Sequence, residues 1–172
     1  PNYTPRIIEY VTNMSRVISI TPDQYAQFII DSLNNPSEIW SNEYNRRIKP
    51  EDRILLTTLY SLTETSIDES TLKRAYNYRL SFISTIDATR NHFNESLLHM
   101  NNSMILIIDK NGDKNISVIN PSVNDFLKTI LETNSIENTD IKQHCSEYIQ
   151  IKRLFPSYFS ELVATGEALS LN

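Results

Sequence analysis

Residues 104–120 read MILIIDKNGDKNISVIN, and the reading of this stretch decides the fold. Two short apolar runs flank Asn111-Gly112, the pair best suited to the positive φ angles of a two-residue hairpin turn. With that turn, Asp109 faces Lys114, Ile107 faces Ile116 and Ile105 faces Val118, so opposite charges and branched apolar pairs agree on one register. The stretch is therefore expected to be a β-hairpin. Its inner face is Ile105, Ile107, Ile116 and Val118. Its outer face carries Met104, Leu106, Ile108 and Ile119 and is too apolar for open water, so cover is expected either from helices beginning near residue 138 or from a part of the protein outside this sequence.

Working outward, Asn120-Pro121-Ser122 ends the hairpin and opens PSVNDFLKTILE, a helix with Val123, Phe126, Leu127 and Ile130 on its inner side. Proline suits the first helical turn, and Asn120 and Ser122 both accept hydrogen bonds from orphan amides. Upstream, Thr4 is placed to cap a helix opened by Pro5 and striped by Ile7, Ile8 and Val11. Thr21-Pro22-Asp23-Gln24 reads as a capping box for a helix to about Asn34. Asn35-Pro36-Ser37-Glu38 repeats the device ahead of Ile39, Trp40 and Tyr44. After the break at Lys49-Pro50, three helical patterns follow: EDRILLTTLYSL, a segment from about Ile67, and ATRNHFNESLLHM with Phe93, Leu97 and Leu98 on one side. Two helices are expected at the end, 138–154 with Ile141, Tyr148, Ile151 and Leu154, and 157–169 with Phe159, Leu162 and Val163. The fold class is mainly α. Linker helices occupy 1–48, a winged-helix-like domain occupies 49–120 with its hairpin at 104–120, and a helical extension occupies 121–172.

Composition narrows the function. The 172 residues are 40% hydrophobic and 22% charged, enough to bury a core. A net charge of −5 argues against a phosphate-neutralising surface. Cys145 is the only cysteine, so neither a disulfide framework nor a cysteine metal site is expected, which fits a cytoplasmic setting. No apolar run is long enough for a membrane span. The two glycines, Gly112 and Gly166, build no phosphate-cradling loop. Asp109-Lys110-Asn111-Gly112-Asp113 opens like a calcium loop, but Lys114 and Asn120 stand where that loop needs glycine and glutamate. His92, His99 and His144 lack a metal-binding spacing, and no nucleophile pairs with a base. Catalytic and metal-ligating residues are accordingly expected to be none.

Three helices followed by a hairpin give the order of a winged helix, a fold that most often reads DNA through its third helix. Here that helix sets Arg90 against Asp87 and Glu95, so no DNA partner is expected. The joint NPSVNDFL resembles the motif that closes the winged-helix domain of STAND NTPases, the group containing NACHT and NB-ARC proteins. There a histidine, a serine and an acid followed by Phe or Tyr stand at the strand-to-helix junction, and the histidine reaches the β-phosphate of ADP. Asn120 stands at the histidine position, with Pro121, Ser122, Asp125 and Phe126 completing the junction motif. NYTPRIIEYVT resembles the motif in the helical lid after the ATPase core, with Pro5 near the adenine and Arg6 as a sensor. NPSEIW and NPSVNDFL together are similar to the bacterial group called novel STAND NTPases, several of which defend against phage.

The resemblance implies a fragment downstream of an ATPase core, comprising a lid remnant and a winged-helix region. Nucleotide sensing would fall to Pro5, Arg6 and Asn120. ATP and ADP would bind the parent protein, with no cofactor for the fragment itself. The implied partners are the upstream ATPase core and, on activation, copies of the same protein, with no membrane. Two other readings stand beside it: a DNA-binding winged-helix regulator, and a helical adaptor with Trp40, Tyr76 and Tyr78 as protein contacts.

Overall fold

The computed structural model describes residues 5–87, 89–157 and 160, without the side chains of Pro5, Arg6 and Lys110. Pro5 begins α1 (Pro5–Thr12), whose buried stripe is Ile7, Tyr10 and Val11. Positions three and four apart share a helix face, so Tyr10 fills the stripe and Ile8, expected there, is 49% exposed. Thr4, its expected cap, lies outside the described residues. After α2 (Met14–Val17) comes α3 (Pro22–Asn34), where the expected capping box does not form. The Thr21 side chain makes no cap bond and instead meets Asp23, holding that carboxyl below the usual range. Phe28, Ile29 and Leu33 of α3 lean on the core as expected.

The next helix, α4 (Ser37–Asn42), runs into a π-helical turn at Glu43–Arg47 and buries Ile39, Trp40 and Tyr44. Pro50 then opens α5 (Pro50–Leu62), buried on nearly every side from Ile54 to Leu62. A helix apolar around most of its circumference belongs at the centre, and α5 is where the five described helices that follow it converge.

Ser66–Asp68 form β1, followed by α6 (Glu69–Leu80) and α7 (His92–Met100), then β2 (Ile105–Lys110) and β3 (Asp113–Val118). The helix expected from Ile67 starts two residues later. Ile67 pairs instead with Ile116 across the sheet, and Asp68 Oδ1 caps α6 by accepting the Thr71 amide at 2.8 Å. The hairpin has the expected register: Ile105 opposite Val118, Ile107 opposite Ile116 and Asp109 opposite Lys114. Asn111 and Gly112 take φ values of 59° and 93°, the two positive angles such a turn requires. The three strands run antiparallel in the order β1-β3-β2. The order α5-β1-α6-α7-β2-β3, with β1 against β3, is a winged-helix arrangement in which β2 and β3 form the wing.

The chain ends in α8 (Pro121–Thr133), α9 (Ser135–Gln143) and α10 (Tyr148–Leu154). The single helix expected over 138–154 is thus two. Asn134 starts α9 early by accepting the Glu137 amide at 3.2 Å. The buried Gln150 then accepts the Ser146 and Glu147 amides at 3.0 and 3.1 Å and donates to Ser61 Oγ at 2.7 Å. This fixes a break before α10 and docks that helix on α5. The helix expected at 157–169, with Phe159, Leu162 and Val163, falls almost wholly outside the described residues.

A continuous cluster of buried side chains runs from Ile7 through Trp40, Leu55, Tyr76 and Met104 to Leu127. The hairpin's inner face joins it, with Ile105 and Ile116 fully enclosed. Met104, assigned to the outer face, is also fully enclosed, because its amide bonds to Met100 and turns the residue inward before β2 begins. The described helices after residue 134 make their main contacts with α8 and α5. Ile108 and Ile119 are half-buried, and Leu106 is 37% exposed.

Candidate functional site at the strand-to-helix joint

Asn120 leaves β3 in extended conformation, and Pro121 begins α8. The Asn120 side chain accepts two hydrogen bonds on Oδ1, from the Ser122 amide and from Ser122 Oγ, both at 3.0 Å. Two donors on one atom identify it as the carbonyl oxygen. Asn120 is buried at 8% exposure, Pro121 and Asp125 face solvent, Ser122 is half-buried, and Phe126 is buried. The joint is thus an inward-facing helix cap with one acid, Asp125, on its outer side.

Two contacts bind the joint to the segment between α3 and α5, and a third ties that segment to α9. The Trp40 indole N–H donates to Ser122 Oγ at 3.0 Å, spanning 82 positions in the chain. Tyr44 sets its ring edge-on to Phe126, with centroids 5.6 Å apart, and its hydroxyl donates to Glu137 of α9. Burial pushes the Tyr44 hydroxyl strongly upward in pKa, and the Glu137 carboxylate adds to the effect. Glu137 and Trp40 were both absent from the sequence-derived site. Trp40 carried a signal, as the sole tryptophan beside a proline-opened helix, whereas nothing local marks Glu137.

Pro5 and Arg6 occupy the first turn of α1, and their side chains lie outside those described. The rest of α1 is tied down firmly. Arg47 of the π-turn grips Glu9 through both oxygens, at 2.9 and 2.5 Å, and reaches Glu43 at 3.3 Å. These acids hold the Arg47 guanidinium even further above neutrality than usual, with Glu9 the largest cause. Arg16 stacks 4.1 Å over the Tyr10 ring, and Tyr25 donates to the Val11 carbonyl at 2.9 Å. Since α1 packs on α4 and α4 on α8, the two sequence-derived groups are connected through α4.

A second polar cluster lies between α5 and α7, in a pocket of about 200 Å³. His99 Nδ1 is 2.7 Å from the buried Asp52 carboxylate, which also accepts the Lys49 amide at 2.9 Å. His92 is buried, with Nε2 2.7 Å from the Asp87 carbonyl. Of these bonds His99–Asp52 joins α7 to α5, Lys49–Asp52 caps α5 and His92–Asp87 holds the loop before α7, and none pairs a nucleophile with a base. Among the described residues no group of three or more His, Cys, Asp or Glu side chains could hold a metal ion, and no helix is long and apolar enough to cross a membrane.

Of the aromatic contacts expected of an adaptor, Trp40 and Tyr76 are fully enclosed and belong to the core. Tyr78 is 43% exposed and packs edge-on against Phe82. Comparison with protein-family models, curated proteins and solved structures gives no match for this chain.

Proposed function

We propose that this chain is the regulatory, nucleotide-state-sensing winged-helix region of a STAND-type NTPase, without catalysis of its own. The observation that carries the reading is the Asn120-Pro121-Ser122 joint, with Asn120 buried, placed where the wing ends and hydrogen-bonded across the fold to Trp40. A joint serving only to cap α8 needs the Asn120 oxygen and nothing beyond the first turn. This one also reaches the arm that holds α1, the helix carrying Pro5 and Arg6.

In this reading the region closes over ADP beside an ATPase core in the same polypeptide and turns away when ATP replaces it. Such a shift requires contacts that differ between the two nucleotides. The likeness to phage-defence members of the group makes antiviral signalling in the bacterial cytoplasm its setting, with self-assembly on activation. The alternative of DNA reading has less support: α7, the third helix of the wing domain, contains no Lys or Arg, and the nearby Arg90 is engaged by Glu95.

The test is nucleotide titration of a longer polypeptide that includes the residues preceding Pro1, followed by calorimetry. ADP and ATP should bind with different affinities, and Arg6→Ala and Asn120→Ala should each reduce that difference. Absence of nucleotide binding by the longer polypeptide, or sub-micromolar sequence-dependent binding of duplex DNA by this chain, would overturn the proposal.

A further inference from the structure

We propose that Trp40 is the positioning residue that carries the state of the joint to the linker arm, an inference resting on the sensing role just described. The directionality of the hydrogen bonds makes the case. An indole N–H can only donate, so Ser122 Oγ must accept from Trp40 at 3.0 Å. The Ser122 hydroxyl hydrogen is then left for Asn120 Oδ1, also at 3.0 Å. The orientation of Asn120 therefore sets the orientation of the hydroxyl that Trp40 binds. Trp40 is fully enclosed and Asn120 nearly so, so water cannot readily replace a lost partner at either end.

The arm is built to feel that change. Trp40 lies in α4, which leads directly into the π-turn at Glu43–Arg47. Single π-turns recur where a helix must change register at functional sites. The turn holds α1 through Arg47 and Glu9 at one end, and α8 through Tyr44 and Phe126 at the other. If Asn120 rotates toward a ligand phosphate, Ser122 loses its acceptor, the indole loses a fixed partner, and α4 loosens from α8. Nucleotide contact at the joint thereby reaches α1, the helix that begins at Pro5, through Trp40, the π-turn and the Arg47–Glu9 pair.

The chain contains one tryptophan, so its fluorescence reports this site alone. Asn120→Ala and Ser122→Ala should each red-shift the emission and speed amide exchange in α4 by ~5-fold, the loss expected of one cap-type interaction expressed as local opening. Asp68→Ala removes a comparable cap from α6, where Asp68 accepts the Thr71 amide, and should do neither. Ser122→Thr, which keeps the hydroxyl, should restore the native spectrum. If Ser122→Ala does not fold, Asn120→Ala set against Asn120→Asp decides the matter, because aspartate keeps the acceptor oxygen. Equal α4 exchange and equal emission in Asn120→Ala and Asp68→Ala would overturn the relay. No nucleotide enters this measurement, so its failure is distinct from failure of the nucleotide titration.

Discussion

Arg79 is 2% exposed and sits between α5, α6 and α9. Its guanidinium meets Asp140 twice, at 2.7 and 2.6 Å, and donates to Thr57 Oγ1 at 2.6 Å. Asp140 is the less buried partner, with 31% of its side chain exposed, and it is also approached by His144 Nδ1 at 3.0 Å. Removing one member of a buried ion pair costs ~3–5 kcal/mol when the other charge is stranded in the interior. Asp140→Ala strands Arg79, but Thr57 still accepts from it, which brings the expected loss to ~2–3 kcal/mol. Arg79→Met removes the buried charge, keeps an unbranched apolar stem and leaves behind a carboxylate that water can reach. Its expected cost is the smaller, ~1–2 kcal/mol. The check is urea unfolding followed by far-ultraviolet circular dichroism, with both variants compared at one slope. For a domain of this size the Asp140→Ala loss corresponds to a fall in Tm of ~4–12 °C. If Arg79→Met proves as costly as Asp140→Ala or costlier, the stranded-charge reasoning is refuted and the guanidinium's own bonds to Asp140 and Thr57, which methionine lacks, hold α9 in place.

Two further outcomes follow from the geometry. Burial pushes the Tyr76 hydroxyl up to about 12; since the unfolded phenol ionises near ~10, its contribution to stability is complete below pH ~10 and falls as pH rises toward 12. Tyr76→Phe should therefore flatten the alkaline limb of the stability profile measured by denaturant titration, and an unchanged limb would assign that limb to other groups. At the wing turn, a Cβ added to Gly112 meets nothing within 4 Å, but φ is +93°, so Gly112→Ala should cost only the conformational term of ~1–2 kcal/mol. Thermal unfolding of that variant should show this small loss, and a neutral result would mean that the turn rearranges.

What the sequence determined by itself was local. Asn111-Gly112 and the flanking Ile and Val pairs set both the turn and the register, because a two-residue hairpin leaves one way to align its strands. Pro22, Pro50 and Pro121 marked three helix starts, since proline fixes its own φ and lacks only an amide the helix does not use there. The residues of the joint were legible for the same reason.

What only the tertiary structure decided depended on neighbours far along the chain. Ser66–Asp68 is too short to declare itself a strand and becomes one because β3, some fifty positions later, offers a free edge. The break before α10 exists because Gln150 finds Ser61 at the centre, and Thr21 turns to Asp23 instead of its own helix. Trp40 and Tyr76 look equally suited to a surface or a core as letters. In the fold the Trp40 indole meets Ser122 of α8, and the Tyr76 ring lies against Phe93 of α7. A side chain's burial and the atom that satisfies its polar group are properties of the packed fold, so the bond from Trp40 through Ser122 to Asn120 could not be read before the chain was folded.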